Sequence, residues 1–94
     1  MPLANRLQGC NNAVIGTGNL LSGDFNKLIG KQNAVFGHDN NIFGTFNAIG
    51  GSFNQVAGTE NIVIGSNNEL IGKNNNIKGN TNTVNGTSTT LNGS

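Results

Sequence analysis

His38 next to Asp39, with Asp24 fourteen residues upstream, is the one acid–base set in the sequence. An imidazole beside carboxylates is the apparatus of proton transfer near neutral pH. A histidine between a glycine and an aspartate on a turn, however, reads first as an ordinary solvated residue. Cys10 is the single cysteine, so there is no disulfide framework, and no clustered histidine gives it metal-ligand spacing. Its thiol reads as packed or idle, not as a nucleophile. Gly16-Thr17-Gly18 imitates a phosphate-binding loop but lacks the lysine and the strand-to-helix setting that make such a loop work. No catalytic residue, cofactor or metal is expected.

The element that positions every residue is a repeat. Glycine recurs at 9, 16, 23, 30, 37, 44, 51, 58, 65, 72, 79, 86 and 93 without insertion or deletion, and Pro2 takes the glycine slot of a first, degenerate unit. Three places on stands Asn5, then Asn12 and so on every seventh residue to Asn82, until Thr89 breaks the column. Two places after each comes Val, Leu or Ile, from Leu7 to Leu91, in all thirteen units of residues 2–92. A seven-residue apolar period suggests a coiled coil, but that structure needs two apolar positions per heptad and does not tolerate a Gly and an Asn in each. The pattern Asn-x-Val-x is instead the alternation of a short strand, and the glycine after it is expected to supply the turn. One such unit buries a single aliphatic, so the units must stack in register as a parallel solenoid.

Surface residues set the coil at two heptads. The residue after glycine reads Leu3, Thr17, Lys31, Thr45, Thr59, Lys73, Thr87 in alternate units and Cys10, Asp24, His38, Ser52, Ser66, Asn80 in the others, so every Thr falls in one set. The expected fold is one all-β domain over residues 1–94: a parallel, two-sided β-solenoid of 14 residues per coil and about 6.5 coils. Val, Leu and Ile should form opposed columns inside, with Asn ladders at the corners.

Composition narrows the function. Only 34% of residues are hydrophobic and the five aromatics are all Phe, too little for an ordinary globular core. A net charge of +1 gives no field to hold nucleic acid or an anionic membrane. The N-terminus has neither the basic nor the apolar segment of a signal peptide, and no run is long enough to span a bilayer.

Units such as Asn12-Ala13-Val14-Ile15-Gly16, Asn33-Ala34-Val35-Phe36-Gly37 and Asn82-Thr83-Val84-Asn85-Gly86 make the chain resemble, over residues 2–94, the ice-recrystallisation-inhibition family of grasses, the ryegrass type of antifreeze protein. The resemblance implies a left-handed β-roll with Val columns and Asn ladders inside, one flat face that adsorbs to ice, and a site of action outside the cell, in the apoplast. A second resemblance, to the heads of trimeric autotransporter adhesins, is weaker, because those rolls use Ser and Ala where this chain has Asn and Val.

One face would present Leu20 and Ser22, Ala34 and Phe36, Ala48 and Gly50, Ile62 and Ile64, with no charge between Arg6 and Lys78. This is the expected ice-binding face, edged by Thr17, Thr45, Thr59 and Thr87. The opposite face carries Lys27 and Glu69 and reads as the solvated side, although Ile15, Ile29, Phe43 and Ile71 also point outward there. The alternative is a structural or interaction solenoid that self-associates through exposed apolar surface, as an adhesin-like module or a filament stacked end to end through uncapped strand edges.

Overall fold

Each heptad becomes one strand. The computed structural model describes residues 4–93; Pro2 and Leu3, which begin the first unit, and Ser94 lie outside the described residues. In chain order the strands are β1 (Arg6–Gln8), β2 (Ala13–Thr17), β3 (Leu20–Asp24), β4 (Lys27–Lys31), β5 (Ala34–His38), β6 (Asn41–Thr45) and β7 (Ala48–Ser52). They continue as β8 (Gln55–Thr59), β9 (Ile62–Ser66), β10 (Glu69–Lys73), β11 (Asn76–Asn80), β12 (Thr83–Thr87) and β13 (Thr90–Asn92). Odd-numbered strands form a seven-stranded parallel sheet and even-numbered strands a six-stranded one. Within each sheet the register steps by fourteen residues, so Leu21 pairs with Val35 and Thr45 with Thr59. The two-heptad coil inferred from the segregated threonines is therefore the structural unit.

Between the sheets lies a core one side chain thick. Ten aliphatics from Leu21 to Val84 are buried, and Val14 and Leu91 pack partly against them. Leu7 is the exception to the expected thirteen: it is 46% exposed, on β1, which pairs with β3 alone among the described strands. The rod measures 36 × 25 × 13 Å.

At the corners, ten asparagines from Asn19 to Asn82 are as buried as the core. Burying an amide is costly unless its donors and acceptor are all used, and each corner shows how they are. The Asn33 Nδ2 donates to the Gly44 carbonyl at 2.9 Å and to Asn19 Oδ1 at 3.2 Å. Its Oδ1 accepts from the Asn47 backbone N–H at 2.9 Å and from Asn47 Nδ2 at 3.1 Å. The side chain thus ties its own coil to the coils on either side. Thr89 keeps part of this: its backbone N–H donates to Asn75 Oδ1 at 2.8 Å, but it has no amide to extend the ladder.

The turn does not fall at the glycine, as the sequence suggested. Glycine is the fourth residue of each full-length strand, as in Ala13-Val14-Ile15-Gly16-Thr17. It is required there because its Cα packs against the next coil: a Cβ on Gly16 would lie 1.8 Å from the Gly30 carbonyl oxygen. The chain turns two residues later, at the position before the Asn slot, where every non-glycine residue from Asn11 to Ser88 is left-handed with φ of 54–60°. Asn11, Gly18, Asp39, Asn67 and Asn74 suit that conformation; Phe25, Phe46 and Phe53 do not.

Candidate functional site

In-register stacking turns each outward position of a strand into a straight column along the rod, one residue per strand spacing of about 4.8 Å. The seven-stranded sheet brings together all eight residues expected on the candidate face. One column reads Leu20, Ala34, Ala48, Ile62 and its neighbour Ser22, Phe36, Gly50, Ile64. Neither column carries a charge between Arg6 and Lys78.

The face is not level. Phe36 and Ile64 are about half exposed, and between them Gly50 has no side chain. The result is a hollow of about 220 Å³ lined almost wholly by apolar groups, among them Ala34, Phe36, Ala48, Ile62 and Ile64. A third column, made by the strand ends, adds Asp24, His38, Ser52 and Ser66 to this sheet, so the absence of charge holds for the two central columns and not for the whole width.

The threonines expected to edge this face end the strands of the other sheet. Thr17, Thr45, Thr59 and Thr87 stand in register with Lys31 and Lys73 at the ends of β2, β6, β8, β12, β4 and β10. They lie at the corner where the chain crosses into the seven-stranded sheet, so they border the candidate face without belonging to it. The six-stranded sheet has its own relief: Phe43 and Ile71 flank Ala57, leaving a hollow of about 180 Å³ that Asn41, Gln55 and Glu69 also line.

His38 has more company than the sequence suggested. Its Nδ1 lies 3.1 Å from Asp39 Oδ2 and its Nε2 3.1 Å from Ser52 Oγ, one coil on. Ser, His and Asp thus stand in the order of a nucleophile, its base and an orienting acid. Two neighbouring backbone donors are engaged in the ladder, the Phe53 N–H with the His38 carbonyl and the Asn67 N–H with the Ser52 carbonyl, both at 3.1 Å. Asp24, expected in the same cluster, instead accepts from the Cys10 N–H at 3.0 Å, and Cys10 itself is exposed.

The corner phenylalanines escaped sequence reading. Phe25, Phe46 and Phe53 are 60%, 55% and 54% exposed, and each occupies the left-handed corner where a bulky side chain is strained. The edge of the His38 ring meets the Phe53 ring with centroids 5.7 Å apart. The signal was present, because five other units place Gly, Asn or Asp at the same slot.

Buried amide ladders, a core one residue thick and two broad faces of columned side chains define a two-sided β-roll. The model of the grass antifreeze beta roll family matches residues 7–94, and the chain belongs to that family. The membership points to ice as the surface contacted. No curated protein matches the chain significantly.

Proposed function

We propose that the protein adsorbs to ice and inhibits its recrystallisation through the central columns of the seven-stranded sheet. The observation that carries this reading, beside the family membership, is that β3, β5, β7 and β9 stack without register shift and present eight uncharged residues in two straight columns. A regular, weakly polar surface on a rigid backbone lets water order into an ice-like layer. Charged, strongly hydrated side chains oppose that order, and Lys27, Lys31, Glu69 and Lys73 place them on the six-stranded sheet. The hollow at Gly50 breaks the contact into patches, which favours weak depression of the freezing point together with useful inhibition of grain growth. The Thr17, Thr45, Thr59 and Thr87 corner would extend the contact at its border. No covalent chemistry enters this function.

The test is the coarsening of ice grains in a frozen film at micromolar protein. The native chain should slow it. Ala48→Tyr, which raises a phenol in the middle of the proposed face, should abolish most of the effect, whereas Asn85→Tyr on the other sheet should not. Unchanged grain growth with the native chain would sink the proposal; full activity in Ala48→Tyr would move it to another surface.

A further inference from the structure

The six-stranded sheet is apolar along one column although it carries the charges, and its outward residues have an order that solvation does not require. From β2 to β12 one column reads Ala13, Lys27, Asn41, Gln55, Glu69, Thr83. Its neighbour runs Ile15, Ile29, Phe43, Ala57, Ile71, Asn85. The midpoint of both columns falls between β6 and β8. Lys27 and Glu69 lie equally far from that midpoint on opposite sides, as do Ile29 and Ile71, and Phe43 and the small Ala57 flank it.

We infer that this sheet is a two-fold, self-complementary interface on which a second copy of the chain docks with its rod reversed. A rotation of 180° about an axis parallel to the strands, passing between β6 and β8, keeps each column facing itself and inverts its order. Lys27 then meets the second copy's Glu69, and Glu69 its Lys27. Phe43 enters the hollow over the second copy's Ala57, and Ile29 meets its Ile71. Such isologous pairing is the commonest way in which identical chains associate.

Two further observations support the second copy as the occupant. Asn41 Oδ1 is shielded from solvent without a hydrogen-bond partner, alone in this among the described side chains. It stands beside the axis, where the pairing brings the second copy's Gln55 amide opposite it. An orphaned buried acceptor is costly, and rotation of the Asn41 side chain toward the interface would let the second copy's Gln55 amide satisfy it. The area also suffices: six strands about 4.8 Å apart and five residues long make a strip of about 29 by 17 Å, within a face bounded by 36 and 25 Å. Burial on the order of 500–900 Å² per copy reaches the small-to-standard range for specific interfaces. The like-charge meetings, Lys31 with the second copy's Lys73 and the reverse, fall at the rim, where solvent screens them.

The dimer does not depend on ice binding. If the proposed function holds as well, the dimer presents its two seven-stranded faces outward on opposite sides, so one particle can contact two ice surfaces.

Sedimentation of the native chain up to roughly 500 µM should show a monomer–dimer equilibrium. Lys27→Glu and Glu69→Lys should each weaken association at least about tenfold, and the double exchange should restore it, since facing charge pairs couple across an interface. Ala48→Tyr, on the other sheet, should leave the equilibrium as it is. A monomer at every concentration, single reversals without effect, a double exchange that fails to restore association, or loss of the dimer in Ala48→Tyr would each overturn the inference. Ice-grain growth plays no part in these measurements, so failure of the ice-binding proposal would leave them standing.

Discussion

The ladder asparagines do in this protein what a hydrophobic residue does in most cores, because through the middle of the rod both polar atoms of each side chain have partners. Asn47 shows the consequence of losing one. Its Nδ2 donates to Asn33 Oδ1 at 3.1 Å and to the Gly58 carbonyl at 3.0 Å, and its Oδ1 accepts from the Asn61 N–H at 3.0 Å. Asn47→Ala leaves a buried N–H and a buried carbonyl short of partners, so it should cost about 3 kcal/mol or more, read as a lower urea midpoint. The opposite sign is expected at the corner. Phe46 is 55% exposed and held at φ 58°, where a bulky residue is strained by about 1 kcal/mol or more. Phe46→Asn should therefore raise the melting temperature by several degrees. The structural role of the Asn column was legible in the sequence from its period alone. The corner strain was not read, because alternation locates the strands and says nothing about which loop residue turns the chain.

Strand identity, spacing and the two-sheet division were also legible, since the aliphatic of each heptad and the segregation of Thr17, Thr45, Thr59 and Thr87 require them. What period alone could not give was the place of glycine within the strand. A repeated glycine is compatible with a turn or with close approach of backbones, and only the stacking decides between them. The doublet Gly50-Gly51 separates the two roles on one strand, β7. A Cβ on Gly51 would stand 1.8 Å from the Gly65 carbonyl oxygen, at φ 127°, whereas a Cβ on Gly50 meets nothing within 4 Å. Gly51→Ala should thus break the ladder between β7 and β9 and cost more than about 4 kcal/mol. Gly50→Ala should change stability by no more than about 0.5–1 kcal/mol and in the favourable direction, because a strand glycine gives up entropy that alanine does not. Chemical unfolding of the two variants checks the contrast directly.

At the scale of the whole rod, each strand pairs only with the strands one coil away and packs across a thin core on the opposite sheet, so stability accumulates coil by coil. Such a molecule tolerates deletions that would destroy a globular core, provided that they respect the repeat. Removing residues 41–47 leaves Asn40 followed by Ala48, so the spacing of Asn, aliphatic and glycine continues unbroken across the junction. The core and both ladders re-form, but every strand beyond the deletion changes sheets. Ala48, Gly50, Ile62 and Ile64 then lie beside Lys27, while Gln55 and Glu69 move in beside Phe36. Removing residues 41–54, a whole coil, shortens the rod and keeps each sheet's membership. Both deletions should fold with the same β-rich circular dichroism and a modest loss in melting temperature. The fourteen-residue deletion should keep a reduced inhibition of ice-grain growth, and the seven-residue deletion should lose it, because folding depends on the period of seven and the working surface on the period of fourteen. Equal activity in the two would mean that no particular face carries the function.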